Sequence, residues 1–94
     1  MLPLENIDQN AANRTRIEIL ASILKVAQKG ALKTHIMYKA NLSHKQLTKY
    51  LQFVIGNALL QEISDPEDGT RYYQVTEKGI QFLKDYDRLS SYME

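Results

Sequence analysis

The chain has 94 residues, 44% of them hydrophobic and 24% charged, and a formal net charge of +1. This length and ordinary composition predict one globular domain and exclude a second core, wholesale disorder and a fibrous repeat. There is no cysteine, which excludes a disulfide framework, thiol catalysis and cysteine-ligated zinc. No apolar run approaches the roughly 20 residues that cross a bilayer. We therefore expect an intracellular protein without a membrane partner.

The charge is distributed unevenly along the chain. From Ile19 to Gln61 there are six lysines, two histidines and no acid, whereas most of the eleven acids follow residue 61. A basic block of this kind favours a polyanionic partner. The alternative is that lysine is simply a common residue on solvated helix surfaces.

Residues 1–12 show no sustained periodicity and include Pro3, so they are predicted to form a loose N-terminal arm, to which the sequence assigns no role. Asn13 is expected to cap a first helix that carries a broad apolar stripe. This helix should end near Lys29, before Gly30, and contribute mainly to the core.

A tight reversal between two helices is predicted next. Ala31 and Leu32 are too short for a free-standing strand but can pair at a sheet edge beside a later hairpin. Thr34 is the expected cap of a short second helix from His35 to Ala40. Asn41 follows it and tolerates the left-handed conformation that a sharp turn into a third helix needs.

The third helix, predicted over residues 43–57, is the candidate DNA-reading element. Ser43 is suited to cap it, and Gln46 stands where a capping box closes back onto Ser43. The inward stripe is Leu47, Tyr50, Leu51 and Val54, and the opposite face carries Lys45, Thr48, Lys49 and Gln52, with His44 at its edge. Because such side chains bond to phosphates and base edges, this face favours DNA binding; the alternative is an exposed polar face without a ligand.

A hairpin and a last helix complete the chain. Segment 58–64 is predicted to pass from the end of the third helix into a strand, and segment 71–75 is strand-like. The loop between them contains proline and glycine, the composition of a hairpin turn. Thr76 is the expected cap of the last helix. Glu77 follows in the first turn, where a negative charge suits the helix dipole. We assign residues 77–94 to a C-terminal dimerisation helix.

Two apolar sets share this last helix. Ile80 and Leu83 are expected to pack onto the domain. A second set steps by 4, 3 and 4 residues, the spacing of a coiled-coil seam, and consists of Phe82, Tyr86, Leu89 and Met93. A two-fold dimer through this seam would present two reading helices to successive major grooves, so we expect a homodimer. The alternative is that the strip folds back on its own domain.

The order of elements, α-β-α-α-β-β-α, is that of a winged helix-turn-helix, a mainly α fold with a small β-hairpin, here assigned to residues 13–76. The chain resembles small archaeal winged-helix proteins of about ten kilodaltons that dimerise through a C-terminal antiparallel coiled coil and bind double-stranded DNA, some being called chromatin proteins. The resemblance covers residues 14 to about 89 and lies in RIEILASILKVAQKGALKTHIMYKANLSHKQLTKYLQFVIGNALL and YYQVTEKGIQFL. Its most characteristic motifs run from Lys33 to Ser43 and from Val75 to Gly79.

The resemblance implies that the third helix enters the major groove. The DNA-contacting residues expected from it and from the helix face are Lys33, Thr34, Ser43, His44, Lys45, Thr48, Lys49, Gln52 and Arg71. The chain departs from a DNA-binding wing at the loop, where Asp65, Glu67 and Asp68 should be repelled by phosphate, leaving Arg71 at the base as the expected contact. The last helix also ends sooner than the long coiled coil of the family.

The predicted function is that of a cytoplasmic, nucleoid-associated transcriptional regulator or chromatin-type protein that binds double-stranded DNA. No enzyme is expected, because His35 and His44 lie on different predicted helices without a nearby acid and the four glycines are isolated. No metal site, cofactor or small-molecule substrate is evident. The alternative is a protein-interaction module without direct DNA binding, which the acidic wing and the aromatic last helix would fit.

Overall fold

The computed structural model describes residues 14–93. Over this range four helices and a two-stranded sheet follow one another as α1 Arg16–Val26, α2 Lys33–Lys39, α3 His44–Gly56, β1 Leu60–Ser64, β2 Arg71–Val75 and α4 Glu77–Ser91. This is the mainly helical arrangement that the sequence predicts, with β1 and β2 as the wing. The predicted arm, residues 1–12, and the predicted cap Asn13 lie outside the described residues.

Helix α1 begins with a capping box. The Thr15 hydroxyl accepts a hydrogen bond from the Glu18 backbone N–H at 3.2 Å, and the Glu18 carboxylate accepts one from the Thr15 backbone N–H at 2.9 Å. Hydrogen bonds from the Thr15 backbone and hydroxyl hold the pKa of Glu18 below its ordinary value, because they favour the ionised carboxylate. The helix ends at Val26 rather than near Lys29, and the chain then turns through Gly30 with φ of 91°.

The start of α2 differs from the prediction. Its N-cap is Leu32, which makes no side-chain capping bond, and Lys33 is already helical. Thr34, predicted to be the cap, therefore lies inside the first turn. Ile36 is fully buried, so packing against the core rather than a capping side chain holds this short helix in place.

The turn between α2 and α3 has the predicted left-handed residue. Asn41 adopts φ of 56°, and the Arg14 guanidinium donates to the neighbouring Ala40 carbonyl at 2.6 Å. Ser43 Oγ accepts from the Gln46 backbone N–H at 3.1 Å, while Gln46 Oε1 accepts from the Ser43 backbone N–H at 3.0 Å. The capping box predicted for α3 is thus confirmed, and it fixes where α3 begins.

The core draws side chains from all three helices of the N-terminal half and from the hairpin. The largest fully buried side chains are Ile23, Leu24, Ile36, Leu47, Val54 and Leu60. Burying a side chain of this kind contributes about 1.5–3 kcal/mol relative to leaving it exposed. Because Leu47 and Val54 anchor α3 through one stripe, the opposite side of α3 must face outward.

The hairpin is joined to the segment that follows α1. Strands β1 and β2 pair antiparallel in a register that places Leu60 opposite Val75. Ala31 adds a single bridge, donating to and accepting from Tyr73 at 2.8 Å in both directions. The predicted edge pairing of Ala31 is confirmed, although one bridged residue does not extend the two-stranded sheet by a strand.

The loop at the tip of the wing is shaped by its own acids. The Asp65 carboxylate accepts from the Glu67 backbone N–H at 2.7 Å, and the Asp68 carboxylate accepts from the Thr70 backbone N–H at 2.9 Å. The hydrogen bonds from the Thr70 backbone and side chain lower the pKa of Asp68, because they stabilise its charged form. Asp65 and Asp68 therefore both form the hydrogen-bonded turns of the tip and contribute to its negative charge.

Helix α4 packs closely on the base of the hairpin. Thr76 caps it as predicted, accepting from the Gly79 backbone N–H at 3.0 Å and donating to the Ala58 carbonyl at 2.6 Å. Gly79 is buried, and a Cβ at this position would overlap the Leu59 carbonyl oxygen and the Val75 side chain. The close approach of helix and hairpin therefore depends on glycine.

The inward residues of α4 differ in part from the prediction. Leu83 is 4% exposed, as expected of a core residue, whereas Ile80 is 39% exposed and does not pack inward as predicted. Phe82 and Tyr86 are partly buried against the core instead. The buried side of α4 is therefore rotated toward these two aromatic residues.

Candidate nucleic-acid interface

Helix α3 presents a polar surface opposite its buried stripe. The α3 face, as we call it, consists of Lys45, Thr48, Lys49 and Gln52, and the buried residues of the helix are Leu47, Leu51 and Val54. Lys45, Lys49 and Gln52 are exposed, while Thr48 is partly buried. At about 100° per residue, these four positions fall within one side of the helix. The structure thus brings the predicted reading residues of α3 together on one outward surface.

The α3 face is cationic and forms no ion pair with the residues that the structure describes, 14–93. Helix α3 contains Lys45 and Lys49 and no acid. The ion pairs found between residues 14 and 93 involve Lys25 and Arg71, so neither lysine of the face is held by a carboxylate there. Exposed ammonium groups in this state are available to a phosphate backbone.

Two hydroxyl groups near the start of α3 are engaged by the helix itself. Ser43 is exposed, but its hydroxyl already accepts the Gln46 backbone N–H. Thr48 Oγ1 donates to the His44 carbonyl at 2.9 Å. His44, the first residue of the helix, has an exposed side chain. Hydrogen-bond donors available to a ligand are therefore the two lysines, His44, Gln52 and the O–H of Ser43, since the cap uses only the oxygen of that hydroxyl.

Lys33 and Thr34 lie on α2 rather than on the α3 face. They are the first two residues of α2, directly after its N-cap Leu32. Lys33 is partly buried and Thr34 is exposed. The rest of α2 and the turn around Asn41 separate them from α3 along the chain, so these two predicted contact residues lie outside the α3 face.

Arg71, the predicted contact of the wing, stands apart from the α3 face. It begins β2, and its guanidinium lies 4.0 Å from the Glu62 carboxylate, with 72% of its side chain exposed. Burial raises the pKa of the neighbouring Tyr73, and the Glu62 carboxylate adds to this shift. The hairpin thus combines Arg71 with a nearby acid and with the acidic loop at its tip, which gives it a charge unlike that of α3.

The predicted dimer seam is divided between covered and exposed residues. Phe82 and Tyr86 pack in part against the core of their own domain. Leu89 and Met93 are 60% and 87% exposed, and the neighbouring Tyr92 is 78% exposed. The second half of the seam therefore leaves an apolar strip at the end of α4 in contact with solvent.

A groove between α1 and α3 adds residues that the sequence reasoning missed. It has a volume of about 490 Å³ and is lined by Arg16, Leu20, Gln46, Lys49, Tyr50 and Phe53. Phe53 is 50% exposed. The one signal for this groove in the sequence was Phe53, a large apolar side chain outside the buried stripe of α3. The position of Arg16 and Leu20 opposite it depends on how the two helices pack.

Residues 14–93 show neither a metal-binding cluster nor a membrane-spanning helix. This part of the chain contains no group of three or more histidine, cysteine, aspartate or glutamate side chains placed to hold a metal ion. None of its helices combines the length and the apolar character required to span a membrane.

Similar folds occur among solved structures of DNA-binding proteins and regulators. Sso10a-2, a DNA-binding protein from Sulfolobus solfataricus, superposes with a TM-score of 0.75 at 21% identity, covering 85% of this chain and 82% of that one. A mutant of S. aureus MepR bound to an oligodeoxyribonucleotide gives a TM-score of 0.69 at 15% identity, covering 95% and 65%. The PcaV transcriptional regulator from Streptomyces coelicolor gives 0.70 at 19% identity, covering 80% and 57%. At these identities the likeness is one of fold.

Sequence comparisons agree with this fold. An uncharacterized protein of Methanocaldococcus jannaschii is 36% identical over 50 residues, which cover 52% of each chain, so the match spans about half the length of this relative. The family described as winged helix-turn-helix matches residues 13–94. The fold predicted from the order of elements is confirmed, and the chain belongs to the winged helix-turn-helix family.

Proposed function

We propose that this protein binds double-stranded DNA by inserting α3 into the major groove, and that it acts as a transcriptional regulator or a chromatin-type protein. The observation that carries the proposal is the exposed, acid-free α3 face, with Lys45, Lys49 and Gln52 on one side. Lysine can contact phosphate or the acceptor atoms of guanine, and glutamine can bond adenine in two places. The descriptions of Sso10a-2 as DNA-binding and of MepR as bound to an oligodeoxyribonucleotide support the same function.

The dimensions of α3 suit this role. Its 13 residues correspond to a length of about 20 Å, and a helix with its side chains is about 10–12 Å across. The major groove of B-DNA is about 12 Å wide. The helix starts at an exposed capping box, so its N-terminal half, where Lys45 and Lys49 lie, can approach the floor of the groove. Lys33 and Thr34 on α2 would then meet the adjoining backbone.

A homodimer formed through the end of α4 is the second part of the proposal. Leu89 and Met93 continue the seam that begins with Phe82 and Tyr86, and their exposure leaves an apolar strip for a second copy. A two-fold dimer would present two copies of α3 to grooves about 34 Å apart. Replacing Leu89 by glutamate should give helical monomers in sedimentation experiments, because it places a charge in the seam. An unchanged dimer would refute this interface.

The salt dependence of binding tests the DNA proposal. If the dimer neutralises about six phosphates, the logarithm of the affinity should fall with the logarithm of the salt concentration at a slope near −5. The measurement compares an unrelated duplex with the region upstream of the protein's own gene, each at two ionic strengths. Equal affinities would indicate general, chromatin-like binding, and a preference for one duplex would indicate a regulator. A flat salt dependence would contradict contact with DNA through the lysines of α3.

The second candidate is a protein-interaction module, and the acidic tip of the wing favours it. Asp65, Glu67 and Asp68 give the tip a charge that suits a basic protein surface better than DNA. The lysines of the α3 face have no role in that alternative. We therefore favour DNA binding, which would place the protein in the cytoplasm in association with the nucleoid and requires no cofactor.

A further inference from the structure

The groove between α1 and α3 has the size and lining of a small-molecule site. Its volume of about 490 Å³ lies within the range of roughly 300–1,000 Å³ that is usual for ligand pockets. Arg16 and Leu20 stand one helical turn apart on α1, and the lining residues of α3, which are Gln46, Lys49, Tyr50 and Phe53, follow the i, i+3, i+4, i+7 pattern of one helix face. Each helix thus contributes one coherent side to the groove.

The polar groups of the groove select a negative charge. Arg16 and Lys49 both line it, and none of its lining residues is an acid. The ion pairs within residues 14–93 involve Lys25 and Arg71, so neither cation of the groove is neutralised by a carboxylate in this range. Gln46 gives its side-chain oxygen to the α3 cap, which leaves its amide N–H groups as donors toward the groove. A guanidinium, an ammonium and an amide together match a carboxylate.

The rest of the lining selects a flat apolar body. Leu20 and Tyr50 are partly buried against the core, and the ring of Phe53 is half exposed. Aromatic side chains of this kind pack favourably against another ring in offset or edge-to-face arrangements. A ligand with a ring of its own would cover Phe53 while its charged group reached Arg16 and Lys49.

We infer that this groove binds a small planar aromatic carboxylate, and that the bound ligand weakens DNA binding. The second clause rests on the proposed function, because Lys49 belongs both to the groove and to the α3 face. A carboxylate beside Lys49 neutralises a charge that would otherwise contact DNA. Loss of one such contact should reduce the affinity for DNA about three- to tenfold at moderate salt.

Binding of 1-naphthoate to the protein without DNA tests the site directly. Isothermal titration should show saturable binding that is at least about fivefold tighter than that of 1-naphthalenemethanol, its uncharged analogue, because the alcohol cannot form an ion pair or a bidentate pair of bonds with Arg16. Arg16→Gln should weaken naphthoate binding by at least about fivefold, and Phe53→Ala should weaken both compounds. Lys29→Gln is the matched control, since it removes the same charge outside the groove and should leave both affinities unchanged.

Three results of this titration would overturn the site. They are equal binding of acid and alcohol, an equal loss in Arg16→Gln and Lys29→Gln, or no binding of naphthoate by a folded wild-type protein. Circular dichroism and thermal unfolding establish that the variants are folded. Arg16→Lys adds a further check, because it retains the charge without the planar fork and should recover only part of the affinity.

The effect on DNA is measured in a separate competition. 1-Naphthoate at a concentration that saturates wild-type protein but not Arg16→Gln should weaken the binding of a duplex to wild-type protein about three- to tenfold and have a clearly smaller effect on Arg16→Gln. The naphthoate-free arms report DNA binding alone, so failure of the proposed function and failure of this inference are distinguishable. Naphthoate that binds the groove without changing the affinity for DNA would overturn the regulatory clause.

Discussion

The helix α3 and the wing are both exposed, and they carry opposite charges. The α3 face displays Lys45 and Lys49 without an acid on the same helix, whereas the wing ends in an acidic loop, and Arg71 at its base lies beside Glu62. In a winged helix both elements can reach DNA. The comparison teaches that two neighbouring projections of one small domain need not share one function, and under the proposed function it favours DNA contact through the helix.

The acids of the wing have a structural reason that the lysines of α3 lack. Asp65 and Asp68 accept hydrogen bonds from backbone N–H groups of their own loop, an arrangement typical of turns. Lys45 and Lys49 belong to no ion pair within residues 14–93. The proposed DNA contact would give these lysines a role that the fold does not supply, and the following experiments test this contrast.

The largest effect is expected where the wing is fastened to α4. Gly79→Ala should lower the free energy of unfolding by about 2–3 kcal/mol, because the added Cβ meets the Leu59 carbonyl and the Val75 side chain. The gain in helix propensity, about 1 kcal/mol, is smaller. Urea denaturation followed by circular dichroism measures the change. Gly56→Ala is the control, since nothing lies within 4 Å of its Cβ, and a comparable loss there would refute this explanation.

The next effect concerns the α3 face itself. Replacing both Lys45 and Lys49 by alanine should weaken DNA binding at least about tenfold and make the salt dependence shallower by about two. Fluorescence anisotropy at several salt concentrations measures both changes. The double variant Lys78→Ala/Lys84→Ala removes the same charge from exposed positions of α4 and should change the affinity far less. Equal losses would mean that net charge alone, and not the α3 face, governs binding.

Removing charge from the wing should act in the opposite direction and more weakly. Glu67→Gln with Asp68→Asn should tighten DNA binding about threefold at low salt, because it relieves repulsion of phosphates within about one Debye length. Asparagine keeps an oxygen that can accept the Thr70 backbone N–H, so the loop should keep its shape. An affinity that stays constant would indicate that the wing lies away from the DNA.

The smallest effect is expected for Arg71→Ala, with a loss of less than about twofold, since its guanidinium lies beside Glu62 and the acidic loop of the wing repels the phosphates that it would contact. Anisotropy under the same conditions provides the comparison. A loss as large as that of the lysine pair would reverse the assignment of DNA contact between helix and wing.

The parts of the fold that sequence reasoning predicted depend on short-range patterns. The capping box of α3 is carried by Ser43 and Gln46, the left-handed turn by Asn41, and the cap of α4 by Thr76. Each of these involves residues a few positions apart, so the pattern and the bond coincide. The same kind of signal, Thr15 followed by Glu18, marks the start of α1. The prediction missed it and was wrong in naming Asn13 as the cap of this helix.

The parts of the fold that sequence reasoning did not predict depend on packing between distant segments. Ile80 is exposed because α4 turns Phe82 and Tyr86 toward the core instead, and periodicity alone does not choose between these faces. Helix α2 starts at Lys33 without a capping side chain, since the burial of Ile36 holds it. The groove between α1 and α3 likewise follows from the relative position of two helices.

The hydroxyl of Thr48 has a consequence for base preference under the DNA-binding proposal. While its hydrogen is donated to the His44 carbonyl, the oxygen can only accept. In the major groove, the exocyclic amino groups of adenine and cytosine are donors, whereas guanine O6 and thymine O4 are acceptors. Thr48 would therefore discriminate amino bases from keto bases, and Thr48→Val, which lacks the oxygen, should abolish that preference in a binding-site selection.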